Sequence, residues 1–361
     1  MRQAGRGERG MRWVRRLLVV ASLVVVAGAA VAWEAQRRLD TPFKGFPGDE
    51  VFVDIPQGTG VRAIGRRLAD AGVVADEWTF RLAMWRAGSG RALKAGEYRF
   101  AEAATPVAVI DRLARGDVFL RPITFPEGLT IAEMAGIFES RGFGPAEAFR
   151  QAAANASPIR DLDPHAGDLE GYLFPDTYAL PRSASAADLV ALMVRQFRRT
   201  FDPVWAARPA GYSRSIRETV TLASLVEKET ALAAERTTVA GVYANRLRIG
   251  MGLQCDPTVI YALMRAGQWD GNITRAGLQI DSPYNTYRYA GLPPGPIAAP
   301  GRGALEAAIP PADVPYLYFV SRNDGSHVFA TTLDEHNRNV FRYQIQYFRE
   351  KRARERAASG Q

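Results

Sequence analysis

An apolar run near the N-terminus most constrains what this chain can fold into. Residues 17–33 carry no charged side chain, and Trp33 closes the run. At about 17 residues the run is at the short end for a membrane-spanning helix, and Trp13 and Val14 can extend it. The arginines that precede the run are Arg2, Arg6, Arg9, Arg12, Arg15 and Arg16. We predict a cytoplasmic N-terminus (1–13), a transmembrane helix (14–33) and a polar linker (34–48).

A cleaved signal peptide is the alternative, because the small residues Ala27–Ala32 would suit a signal peptidase. The length of the apolar core favours an uncleaved anchor. In both cases the positive charge stays in the cytoplasm and the rest of the chain is exported. We therefore expect a single-pass protein of the cytoplasmic (inner) membrane that functions on the periplasmic or extracytoplasmic side.

Composition excludes several classes of function. One cysteine, Cys255, cannot form an intrachain disulfide, and with only three scattered histidines no metal-ligand cluster is expected. We predict neither a metal nor a cofactor. The net charge of +8 suits an anionic membrane or polymer. Nucleic acid is not an expected partner, because no nucleic-acid-binding module is present and the chain is exported.

The segment after the linker predicts a small repeated module. Residues 51–56 alternate as a strand, 61–71 and 78–85 have helical spacing, and 93–100 read as a returning strand. A helix is predicted over 106–115. With an offset of 70 residues, the turn and stop residues Pro56, Gly58 and Gly72 recur as Pro126, Gly128 and Gly142. The unit resembles a LysM-like module (49–120), followed by a second small module or connecting region (121–160).

A second apolar stretch, Leu222–Thr230, carries two carboxylates, Glu227 and Glu229. At about 100° per residue they fall on nearly opposite sides of a helix. The Glu227 side is shared by Ile216, Val220, Ala223 and Ala231. Such a helix is apolar almost all round and should be buried, so each carboxyl must be paired or have a raised pKa. A carboxyl kept protonated near neutral pH suits a general acid, whereas an ion pair with arginine is the structural alternative. The helical wheel does not indicate which of the two glutamates would be the acid.

A different segment, Asp168–Tyr178, sets acids among aromatic residues. That combination is typical of sugar binding, although a core loop whose rings fill space would look the same. Later segments rich in Pro and Gly, Tyr284–Tyr287 and Gly291–Ile297, are predicted as rigid loops, where binding residues concentrate. A hairpin is predicted around Asn323–Gly325.

In order and number, five motifs resemble the YceG-like (MltG) endolytic murein transglycosylases: Leu169–Tyr178, Ala223–Thr230, Asn245–Val259, Tyr284–Tyr287 and Gly291–Ile297. The resemblance implies an α+β protein: a membrane anchor, a small LysM-like α/β module, a mixed α+β catalytic domain (161–347) and a charged tail (348–361) expected to fray. Cys255 departs from the Thr or Ser expected there.

The resemblance also implies the reaction. Glu227 would be the catalytic acid, cleaving the β-1,4 bond between N-acetylmuramic acid and N-acetylglucosamine within peptidoglycan glycan strands. The products would carry 1,6-anhydromuramic ends, and cleavage would end the elongation of nascent strands, with peptidoglycan synthases as candidate partners. Candidate substrate-binding residues are Glu170, Tyr172, Asp176, Glu229, Gln254, Asp256, Asn285 and Tyr287. Two alternatives remain: a hydrolytic muramidase with Glu229, Asp176 or Asp256 as second carboxylate, and an inert wall-binding scaffold.

Overall fold

The structure, a computed structural model, describes residues 7–88 and 91–358. Its internal contacts divide the chain into two units, residues 1–121 and 122–361. Residues 122–160, predicted as a second small module or connecting region, fall within the second unit.

Helix α1 (Gly7–Asp40) begins the first unit. From Leu17 to Asp40 it is long and apolar enough to cross a membrane, with a mean hydropathy of 2.2 and none of the tested window buried. The helix continues through the first part of the predicted linker, where Glu34 pairs with Arg37 and Arg38 one turn further on. Arg2 and Arg6, which support the predicted orientation, lie outside the described residues.

The module of the first unit has the predicted order strand, helix, helix, strand, helix. Its elements are β1 (Val51–Ile55), α2 (Val61–Asp70), α3 (Glu77–Ala87), β2 (Gly96–Phe100) and α4 (Pro106–Arg115). Strands β1 and β2 are antiparallel, with Val53 opposite Tyr98. Leu68, Phe80 and Ile110 are fully buried between the sheet and the helices.

The second unit begins with the predicted repeat of this pattern. It contains β3 (Arg121–Thr124), α5 (Ile131–Ser140) and α6 (Ala146–Ala153). The turn glycines have matching backbone angles: φ is 80° at Gly58 and 78° at Gly128, and 71° at Gly72 and 68° at Gly142. The strand that pairs with β3 is β4 (Thr177–Leu180). The second copy of the pattern therefore ends with β4, which overlaps the end of the acid-aromatic motif. It extends beyond residue 160, the predicted end of the second module.

Helix α8 (Ile216–Glu229) is the centre of the second unit. Ser215 and Glu218 form a capping box at its start, and every residue from Thr219 to Val226 is buried. The helix ends at Glu229, so Ala231 is not on its surface as predicted. The neighbouring helices are α7 (Ala186–Ala206), α9 (Arg236–Arg248), α10 (Asp256–Arg265) and α11 (Arg302–Ala307).

The C-terminal part begins with the predicted hairpin, β5 (Tyr318–Ser321) and β6 (His327–Ala330). Helix α12 (Leu333–Val340) follows, then a π-helical segment (Phe341–Gln346) and α13 (Tyr347–Ala358). The tail that was expected to fray is therefore helical as far as Ala358. Its sequence is rich in Ala, Arg and Glu, which are good helix formers.

Candidate functional site

The last turn of α8 directs its two carboxylates into different surroundings, as the helical wheel predicts. Glu227 Oε2 accepts a hydrogen bond from the backbone N–H of Gly301 at 2.9 Å. Its side chain is 7% exposed, and burial raises its pKa; the charge of Glu127 acts in the same direction. Glu227 therefore has the properties of a proton donor that still reaches solvent.

Three residues around Glu227 lie outside the sequence motifs: Glu127, Arg236 and Gly301. Arg236, the first residue of α9, places Nη2 3.6 Å from Glu127 and 3.7 Å from Glu227. Glu127 belongs to the turn between β3 and α5. One signal could have identified it: the repeat aligns Glu127 with Gln57, so only the second copy carries an acid in this turn.

Glu229 faces a separate polar cavity of about 290 Å³. Its carboxylate accepts a hydrogen bond from Tyr243 at 2.8 Å and one from the Cys255 thiol, yet burial dominates and raises its pKa. Gln254, Asp256 and Tyr287 line the same cavity. The structure thus brings together four of the predicted substrate-binding residues, on the other side of α8 from Glu227.

The wall of this cavity is held in an uncommon conformation. Gln254 has a φ of 49°, which non-glycine residues adopt rarely and often at functional sites. Its N–H donates to Thr286 O, and Tyr287 donates to Asp256 at 2.5 Å. Cys255 is buried, and burial raises the pKa of its thiol, so this cysteine is a packing residue rather than a nucleophile.

Glu170 lies at a third position, in a cavity of about 460 Å³ that Trp269, Tyr261 and Arg265 also line. It accepts hydrogen bonds from the N–H of Ile131, at the start of α5, and from the Tyr261 hydroxyl. Burial raises the pKa of Glu170 to about 8. A largely protonated carboxyl beside aromatic rings fits the sugar-binding interpretation of the acid-aromatic motif.

The other three candidate substrate-binding residues do not line these cavities. Tyr172 is buried and donates to Asp163, which also pairs with Arg217 at 2.7 Å. Asn285 is fully buried, and its amide donates to the carbonyls of Leu278 and Ile280. Both side chains fix loops instead of facing solvent.

Asp176 is exposed immediately before β4, where Gln196 donates to it at 2.7 Å. Within the described residues, no group of three or more His, Cys, Asp or Glu side chains could hold a metal ion.

Comparisons with known proteins agree with each other. The model of the YceG-like family matches residues 53–342. A Bacillus subtilis protein named endolytic murein transglycosylase is 32% identical over 310 residues, which cover 81% of this chain and 84% of that protein. A protein of the same name from Streptococcus pneumoniae is 32% identical over 80% of this chain, which spans 58% of that longer protein. The crystal structure of a YceG-like protein from Listeria monocytogenes has a TM-score of 0.55 and 29% identity, and covers 80% of this chain and 98% of that one.

Proposed function

This chain belongs to the YceG-like family, and we propose on that basis that it is an endolytic murein transglycosylase with Glu227 as its catalytic residue. Its substrate is the glycan strand of peptidoglycan, cleaved between N-acetylmuramic acid and N-acetylglucosamine. The observation that supports Glu227 is its place on α8: buried enough to have a raised pKa, but not sealed from solvent.

One carboxyl suffices for this reaction. Protonated Glu227 gives its proton to the glycosidic oxygen, the bond from that oxygen to C1 of the muramic residue breaks, and positive charge develops at C1. The resulting carboxylate then takes the proton of the C6 hydroxyl, whose oxygen attacks C1. The product is a 1,6-anhydro ring, and Glu227 recovers its proton. No water is consumed and no covalent enzyme intermediate forms, in contrast to inverting and retaining hydrolases.

Two cavities of the second unit are the proposed sugar-binding subsites. One is bounded by Glu229, Gln254, Asp256 and Tyr287, whose oxygen atoms can accept hydrogen bonds from sugar hydroxyls. The other contains Glu170 with Trp269, whose ring offers an apolar face. Tyr172 and Asn285 support these loops from beneath, and Asp176 remains a candidate for contact with a longer strand.

The first unit supplies attachment in this proposal. Helix α1 anchors the protein in the cytoplasmic membrane with the second unit outside, and the LysM-like module holds the glycan. Synthases that elongate the strand are the natural partners, because cleavage of a nascent strand ends its growth.

A hydrolytic muramidase remains the second candidate, and one observation favours it: Glu127 places a second carboxylate near the guanidinium that also neighbours Glu227. The sequence motifs suggest Glu229, Asp176 or Asp256 for that role instead. The mass of the product decides, since an anhydro end is one water lighter than a reducing end. An inert scaffold would release neither of these products.

The decisive experiment compares two neighbouring variants, Glu227→Gln and Glu229→Gln, on purified glycan strands. Glu227→Gln cannot transfer a proton in either half of the reaction, so we expect a loss towards the upper part of the ~10²–10⁴-fold range of acid–base catalysis. Glu229→Gln should retain measurable turnover. Release of anhydromuropeptides is followed by mass spectrometry, with thermal melting to show that both variants fold. A folded Glu227→Gln with near wild-type rate refutes the assignment, and a dead Glu229→Gln moves it to the other carboxylate.

A further inference from the structure

The turn that carries Glu127 is fastened to the catalytic helix. Gly128 N–H donates to Ala299 O at 2.8 Å, and Lys228 Nζ donates to Gly128 O at 3.0 Å. The turn is therefore held both to α8 and to the segment that leads into Gly301. Glu127 is about half exposed but stands on a fixed backbone.

Both carboxylates meet at Gly301. Glu227 accepts its N–H, while a Cβ atom added to Gly301 would overlap the carboxylate of Glu127. The backbone angles of Gly301, φ −76° and ψ 173°, are open to any residue. A side chain at this position is therefore opposed by the Glu127 carboxylate and not by the conformation of the chain.

The guanidinium of Arg236 lies near the carboxylates of both Glu127 and Glu227. Arg236 lies 3.6 and 3.7 Å from them, longer than a hydrogen bond, and its buried Nε has no hydrogen-bond partner among the described residues. A side chain at Gly303 would collide with the Arg236 guanidinium, so glycine makes room for that group as well. Two carboxylates that share one guanidinium repel each other, which favours the protonated form of the buried one.

Resting on the function proposed above, we propose that Glu127 is a positioning residue for Glu227: its negative charge, held at Gly301 by the turn, keeps the proton on Glu227 until the glycosidic oxygen takes it. The groups that face Glu227 act in opposite directions. Arg236, Lys228 and the Gly301 N–H favour the carboxylate, whereas burial and Glu127 favour the acid. Arg302, next to Gly301, is paired with Glu306. Glu127 is therefore the charge that opposes Arg236 and Lys228.

The test is the pH profile of the Glu127→Gln variant of the full-length protein in detergent. The first copy of the repeat has Gln57 at this place in an equivalent turn, so the fold should accept the change. Without the neighbouring charge the pKa of Glu227 falls, and activity is lost at lower pH. We expect the basic limb of kcat on soluble glycan strands to move down by about one pH unit, which is about a tenfold lower rate above that limb. The rate on the acidic plateau should change little.

Gly301→Ala supplies an independent variant. Its methyl group should displace the flexible end of Glu127 while keeping the N–H that binds Glu227, so the limb should move in the same direction. In the double variant the displaced group is a neutral amide, and the profile should match that of Glu127→Gln alone. Glu306→Gln removes a nearby charge that is already paired, and should leave the profile where it is.

The outcomes separate this inference from the proposed function. If Glu227→Gln is inactive but both Glu127→Gln and Gly301→Ala have the wild-type limb, the role of Glu127 is refuted and that of Glu227 stands. If folded Glu127→Gln is inactive at every pH, Glu127 acts directly on substrate and the positioning role is wrong. If Glu127→Gln does not fold, Gly301→Ala alone decides. An active Glu227→Gln refutes both proposals.

Discussion

At the scale of single residues, the chemistry available to each carboxylate of α8 depends on the residues that surround it. Glu227 and Glu229 are two positions apart on one helix, yet one meets a loop glycine and a second acid, and the other meets Tyr243 and a buried thiol. The helical wheel predicts that they differ. It cannot predict which elements pack on each side, because Glu127 is 100 positions before Glu227 and Gly301 is 74 positions after it.

Glu170 gives a prediction about stability. Its pKa is about 8 in the folded protein, against an ordinary value of 4.5. Between these two values the folded state holds a proton that the unfolded state has released, so unfolding free energy falls as pH rises through this window. Glu170→Gln stays neutral and can still accept from Ile131 and Tyr261. It should melt like the wild type near pH 4.5 and be more stable at pH 8, by roughly a few kcal/mol.

Melting temperatures of the two proteins between pH 4.5 and 8 check this prediction. Glu147→Gln is the matched control, because Arg150 lowers the pKa of that exposed acid and its titration lies below the window. Parallel melting curves for wild type and Glu170→Gln across the whole range would mean that Glu170 is ionised in the folded protein.

At the scale of elements, local signals gave most of the fold. Strand alternation, helical spacing and stop glycines predicted the bounds of β1 to α4 to within three residues, because these segments form from neighbours in sequence. The repeat was also visible, since its turn glycines need the same left-handed angle in both copies. The last strand of the second copy, β4, could not be predicted from the sequence. It pairs with β3 across more than 50 residues, and no local sequence pattern indicates that pairing.

The same limit applies to the candidate site. Motif residues were predicted as one substrate-binding set, but the fold distributes them between two cavities and the loop supports beneath. Tyr172 and Asn285 show why: an aromatic or amide side chain in a motif can serve a buried hydrogen bond as well as a ligand. Composition alone does not separate these uses.

At the scale of the whole molecule, the last turn of helix α1 packs against the module of the first unit. Leu39 in its last turn is buried with the core of the first unit, and Arg38 pairs with Asp76 at 3.3 Å. We predict that the helix is retained and that arginines before Leu17 hold the N-terminus in the cytoplasm. Alkaline phosphatase fused after Gly48 should be active, since that enzyme works only outside the cytoplasm. A mature N-terminus near Ala32, found by mass spectrometry, would show that the anchor is cleaved.

The module of the first unit is predicted to increase activity on intact sacculi by binding glycan. Its core includes Val109, Ile110 and Leu113 of α4, and Phe119 N–H donates to Glu97 O, so the unit to remove is 49–120 and not the strand-to-strand segment alone. The truncated protein keeps every residue around Glu227 and should still cleave soluble strands. On intact sacculi its rate should fall by roughly tenfold or more, because a linked binding module raises the local concentration of glycan at the second unit. The Glu227→Gln variant of the truncated protein is the inactive control and gives the background rate of the assay. Equal rates of truncated and full-length protein on sacculi would assign the module a role other than substrate engagement.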